Sequence, residues 1–107
     1  MAPARLHAPT FALVRGVSDA YERCLRPGDV PLDVPLAREQ HARYVAALVA
    51  AGVEVRRLAP DEAHPDACFV EDTAVILGAR ALLTRPGAPS RRGECEAIAT
   101  ALAARCE

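Results

Sequence analysis

At 107 residues the chain has the length of one small domain, able to bury a core but a modest one. Its 13 basic residues, all arginine and spread along the chain, nearly balance its 14 acidic ones, so the net charge of −1 offers no footprint for nucleic acid or an anionic membrane. No apolar run approaches the roughly 20 residues that cross a bilayer, and no charged region followed by an apolar stretch opens the chain, so a cytoplasmic location without an export signal is expected.

The first nine residues are rich in Ala and Pro and are expected to fray. Thr10 to Arg15 reads as a short strand, buried on both faces. Asp19 to Leu25 fits either one helical turn or a loop, ended by Pro27-Gly28. Asp33 is a natural N-cap, with Pro35 in the first turn of a helix running to about Ala51 and Gly52 as the residue that stops it. Leu36, Ala37, Tyr44, Val45, Leu48 and Val49 share one side of that helix. His41, one turn before Tyr44 and Val45, fits a structural or half-exposed histidine. Val53 to Leu58 alternates as a half-buried strand does, completing an αβ step of an α/β fold.

Pro60 to Asp66 is a loop in which Asp61, Glu62, His64 and Asp66 form either a solvated turn or a hard-metal site without a recognised ligand spacing. Cys68 to Leu77 reads as a strand interrupted by two adjacent carboxylates, Glu71 and Asp72. Buried, such a pair needs a cation, because neighbouring carboxylates repel and unpaired buried charge is costly. That reading makes a negative pocket floor. On the other reading Asp72 starts a turn and Glu71 faces water. In a regular strand the two would point to opposite faces, so they line one pocket only if the strand bends or ends there.

Ala81 to Thr84 is a second short strand, hairpinned through Gly78-Ala79-Arg80. Pro86 and Gly87 fix a turn. Ser90 is a candidate N-cap, which puts Arg91 and Arg92 at a helix start, where they oppose the dipole unless an anion docks. The alternative is an exposed basic loop. Glu94 to Arg105 is an amphipathic helix with Ile98, Ala99, Leu102 and Cys106 on one side and nothing after it to cover them. Cys24, Cys68, Cys95 and Cys106 show no C-x-x-C spacing and are expected as reduced thiols, with Cys68 and Cys95 in the core. Nothing pairs any of them with the base and orienting group that a nucleophile requires.

Two motifs carry a family resemblance. Phe69-Val70-Glu71-Asp72, preceded by Pro65-Asp66, and Thr84-Arg85-Pro86-Gly87-Ala88-Pro89-Ser90-Arg91-Arg92 stand in register. Together they resemble dimethylarginine dimethylaminohydrolase, of the guanidino-group-modifying, or pentein, superfamily. The resemblance runs from about Phe11 to the end and covers only the first part of the much longer family chain. It implies an α/β fold that is part of a propeller of ββαβ units around a substrate channel. Residues 1–9 would be a flexible N-terminus and 10–107 the N-terminal portion of one such domain.

The implied chemistry is hydrolysis of methylated arginine to citrulline and methylamines, with a link to nitric oxide regulation. A Cys thiolate attacks the guanidinium carbon and a His activates water; no cofactor or metal is needed. The residues matching that Cys and His lie outside this chain, and His7, His41 and His64 do not match the base. The substrate-binding positions implied are Asp72 for the guanidinium, Glu71 and Phe69 in the same pocket, Asp66 at the polar end, Leu25 in a loop over the substrate and Arg91 for the substrate carboxylate. The chain alone would then be inactive. Partners would be the small-molecule substrate and either a second copy or the remainder of the fold. The alternatives are an arginine deiminase, which carries Arg where Glu71 stands, a non-catalytic binding module, or a metal-binding loop.

Overall fold

The computed structural model describes residues 10–106, so the expectation for residues 1–9 lies outside it. Strand β1 (Phe11–Arg15) and strand β2 (Glu54–Leu58) pair in parallel, Phe11 opposite Glu54 and Arg15 opposite Leu58. A parallel pair needs a long crossover, and helix α1 (Val34–Ala50) supplies it. The helix starts where the sequence dictates: the Asp33 carboxylate accepts from the Leu36 amide at 2.9 Å. It ends at Gly52, whose φ of 85° is the left-handed conformation that glycine adopts at least cost.

The helix differs from its pattern in one respect. Only Val45 of its expected apolar stripe is buried, whereas Leu36, Tyr44 and Val49 are exposed. Those positions cover a wider arc than the narrow two-stranded sheet can shield. Residues 16–30 form a 3-10 turn, Asp19–Arg23, followed by a loop.

The expected long strand over Cys68 to Leu77 is not formed. Turns occupy residues 65–68, a 3-10 turn spans Val70–Asp72, and strand β3 begins only at Ala74 (Ala74–Leu77). Local hydrogen bonds win here. The Thr73 hydroxyl donates to the Val70 carbonyl at 2.7 Å, and the Thr84 hydroxyl donates to the Asp72 carbonyl at 2.6 Å, so side chains hold the turn from both sides. Strand β3 pairs antiparallel with β4 (Arg80–Leu83) around Gly78, whose φ is 61°.

The expected helix start at Ser90 is also corrected. Residues Pro89–Glu94 make a 3-10 turn that contains Ser90, and helix α2 (Cys95–Leu102) follows it, shorter than the expected Glu94 to Arg105. Its apolar face is covered: Ile98, Ala101 and Leu102 are buried. Contacts tie its C-terminal end to the parallel pair. Arg56 Nη1 donates to the Ala101 carbonyl at 3.3 Å, Arg105 Nη2 bonds Glu54 at 2.8 Å, and the Arg105 guanidinium stands 3.9 Å over the Phe11 ring.

The bare apolar surface is instead the β3–β4 hairpin, where Val75, Ile76, Leu77, Leu82 and Leu83 are exposed, Leu77 to 80%. The described chain measures 52 × 30 × 27 Å with a radius of gyration of 15.2 Å. A compact domain of this length has about 13 Å, so the shape is elongated, with a thin core of Val14, Val17, Val45, Ala67, Ile98, Ala101 and Leu102.

Candidate functional site

A concavity of about 760 Å³ opens between β1, α1 and the end of α2. Phe11, Leu13, Val17, Ile98 and Leu102 make its apolar wall, and Tyr21, His41, Cys68, Phe69 and Glu71 bring the polar and aromatic atoms. Of the six positions the resemblance implies, two, Phe69 and Glu71, therefore face this space. The Tyr21 and Phe69 rings lie 6.1 Å apart and tilted, joining the segment after β1 to the turn that bears Glu71.

The two adjacent carboxylates are not buried. Both sit in the 3-10 turn, and Asp72 leaves 55% of its side chain in solvent. The turn removes the opposite-face geometry a strand would impose. The reading in which Asp72 belongs to a turn and Glu71 meets water is the one the fold adopts, with Glu71 on the rim of the concavity.

Arg91 stands directly on this turn, 2.7 Å from Asp72 Oδ2 through Nη1. Its Nε and Nη2 grip both oxygens of Glu94, at 3.0 and 2.8 Å, and Nη2 also donates to the carbonyls of Asp66 and Phe69, each at 3.1 Å. The two motifs thus meet at the pair of Arg91 and Asp72. Buried among acceptors, Arg91 has its guanidinium pKa raised, first by the bond to Glu94 and next by that to Asp72. With these bonds made, Arg91 cannot offer a carboxylate its usual two-pronged grip without releasing Asp72 or Glu94.

Asp66 is buried, and both of its carboxylate oxygens accept from the Leu25 amide, at 3.1 and 3.2 Å. This latch is what Leu25 contributes; its side chain is exposed. Nearby, the acidic loop is consumed internally. Asp61 holds Arg15 Nη1 at 3.2 Å and the His64 Nδ1–H at 2.7 Å. Glu62 accepts from the Ser18 hydroxyl at 2.9 Å and the Asp19 amide at 3.0 Å. Among the described residues no cluster of three or more metal-ligating side chains occurs.

Cys68 lines the concavity but is poorly suited to attack. Burial, with the Glu71 charge beside it, pushes its thiol up to about 11, so little thiolate exists near neutral pH. All four cysteines are free and only partly buried, so the expected core placement of Cys68 and Cys95 holds only in part. Burial also raises the Tyr21 hydroxyl and lowers His41, which the Arg57 charge pushes further down and Glu71 opposes.

Glu94 was not singled out by the sequence reading. Its signal was available in the Arg91…Glu94 spacing of three, which brings side chains together on a helical turn. Read only as the first residue of a helix, it gave no hint of a salt bridge that leaves 2% of its side chain exposed.

No protein-family model matches the chain. Over 66 residues it is 48% identical to a dimethylarginine dimethylaminohydrolase of Pseudomonas aeruginosa, covering 62% of this chain and 26% of that protein. Over 72 residues it is 46% identical to the protein of that name in Streptomyces coelicolor, covering 67% of this chain and 28% of the other. Its structure superposes on the Pseudomonas aeruginosa enzyme, a Cys-to-Ser mutant complexed with citrulline, with a TM-score of 0.85 and 35% identity, over 90% of this chain and 38% of that one. The chain spans little more than a quarter of the length of these curated relatives. Its fold is a part of the pentein-type α/β propeller.

Proposed function

We propose that this chain, a partial relative of the dimethylarginine dimethylaminohydrolases, supplies the substrate-binding groups of a methylarginine hydrolase whose nucleophile and base lie in sequence outside these 107 residues. The observation that carries the proposal is the turn at Val70–Asp72. It holds the exposed Asp72 carboxylate next to Glu71, and Glu71 and Phe69 face a concavity large enough for an amino-acid ligand.

In this reading the guanidinium of a methylated arginine meets Asp72 and Glu71. The Phe69 face packs on its methyl groups, and Asp66 with the Leu25 loop meets the amino-acid end. The carboxylates hold the cation in line for a thiolate, which is positioning and electrostatic work. A cysteine from the remaining sequence attacks the guanidinium carbon, a methylamine leaves, and a histidine activates the water that releases citrulline. Cys68, held as a thiol by burial and the Glu71 charge, is a wall of the pocket and takes no part in the chemistry. Residues 10–107 form the N-terminal portion of the domain.

The bare β3–β4 hairpin supports the expectation of a further partner, either a second copy or the remainder of the fold, because soluble monomers rarely leave so much contiguous apolar surface open. A cytoplasmic location and a part in nitric oxide regulation belong to the same reading.

The test is a titration of the purified chain with dimethylarginine, followed by nuclear magnetic resonance, with citrulline assayed in the same sample. Saturable shifts at Phe69, Glu71 and Asp72 without citrulline are expected. Absence of saturable shifts at millimolar ligand, or citrulline formation that Cys68→Ser abolishes, would overturn the reading.

A further inference from the structure

The mechanism just described uses Asp72, yet the most deeply buried acid in the neighbourhood is Glu94, which is not part of the concavity wall and whose side-chain hydrogen bonds among the described residues come from Arg91. Arg91 carries five N–H groups. The Nε–H and one Nη2–H go to the two oxygens of Glu94, Nη2 also reaches the Asp66 and Phe69 carbonyls, and Nη1 meets Asp72 Oδ2. The other oxygen of Asp72, Oδ1, has no partner among the described residues.

We propose that Glu94 is a positioning residue for the cationic end of the ligand: it anchors Arg91 and offsets its charge, leaving one net negative charge and one free oxygen at Asp72. One cation faces two carboxylates, so the group as a whole is anionic. Without the Glu94 charge, Arg91 and Asp72 would neutralise each other, and Glu71 alone would be left on the turn to attract a guanidinium. The grip of Arg91 on the Asp66 and Phe69 carbonyls fixes the segment that carries Asp66, Phe69 and Asp72 as one unit. The ligand this suits is a planar alkylguanidinium, which can donate to Oδ1 without displacing Arg91. The inference rests on Asp72 as the guanidinium-binding carboxylate of the proposed function.

The test compares the unaltered 107-residue chain, Glu94→Gln and the double variant Arg91→Gln with Glu94→Gln. Calorimetry with N,N-dimethylguanidinium and with dimethylarginine is the readout, beside the Arg91 Nε–H resonance. Glu94→Gln should weaken both probes by about tenfold, the scale of one charge-assisted hydrogen bond. The double variant removes both charges together and should bring dimethylguanidinium affinity back to within about threefold of the unaltered chain, the remaining loss reflecting the missing Arg91 grip on the Asp66 and Phe69 carbonyls. A Glu94 that only supports the fold predicts a double variant no better than the single one. Unchanged affinity in Glu94→Gln, or a double variant that stays weak, overturns the proposal. Should Glu94→Gln not fold, the double variant decides alone by the same criterion. If the unaltered chain binds neither probe, the functional reading fails by itself. Glu94 is then judged by the Nε–H resonance: slow exchange lost in Glu94→Gln supports the anchoring role, and an unchanged resonance overturns it.

Discussion

Among the arginines held by carboxylates, Arg15 and Arg91 are the two most enclosed, and the difference between them separates scaffold from site. Arg15, at the end of β1, pairs with Asp61, which also takes the His64 ring; both members of the ion pair are largely out of solvent. That clasp closes on itself and ties the sheet to the loop after β2. Arg91 is equally enclosed and has two carboxylate partners, one buried and one projecting into water. A closed pair of opposite charges can do little beyond holding the chain. An arginine with a second, exposed acid leaves a charge that something else can use.

The comparison can be broken most forcefully at Arg91. Arg91→Ala strands the buried Glu94 and frees two carbonyls, so the chain should lose about 3–5 kcal/mol of stability in denaturant unfolding, the cost of breaking a buried pair from one side. A near-neutral result would mean that the Arg91 network contributes nothing to the fold.

Asp61→Asn should cost less, about 1–3 kcal/mol, because Asp61 is partly exposed and its amide replacement still accepts a hydrogen bond. Dimethylarginine affinity measured on the folded fraction should not change. A loss of affinity as large as that from altering Asp72 would erase the distinction between clasp and site.

The smallest effect concerns pH. Burial, assisted by the Arg57 charge, lowers His41 from its ordinary 6.5. The unfolded chain therefore takes up a proton first as pH falls. The corresponding stability is present in full above pH 6.5 and is lost as pH drops through the lowered folded value. Melting temperatures between about pH 5 and pH 8 should show this slope, and His41→Gln should flatten it.

Much of the scaffold was legible in the sequence. Asp33 and Gly52 bracketed α1, and the apolar runs located β1, β2 and the hairpin, because caps and periodicity are local signals. The central strand was misread for a physical reason: its apolar residues favour a strand, but the hydroxyls of Thr73 and Thr84 bond the carbonyls of Val70 and Asp72 and hold a turn. The partner of Thr84 lies 12 residues away, which no local pattern reports. The cover over α2 depended likewise on Arg56 and Arg105 reaching across the fold. Of the site, the motif residues could be named, but not that Arg91 would stand against Asp72, nor that Glu94 would share it.

The central claim is that Asp72 receives a guanidinium, and calorimetric titration of dimethylarginine into Asp72→Asn tests it most directly, with Arg56→Ala as the reference. Asp72→Asn keeps the shape of the side chain and removes its charge. It should weaken binding by about 1.5–3 kcal/mol, the worth of a charge-assisted hydrogen bond, while Arg56→Ala binds as the unaltered chain does. Equal affinity in the two variants would remove Asp72 from the site and contradict the account.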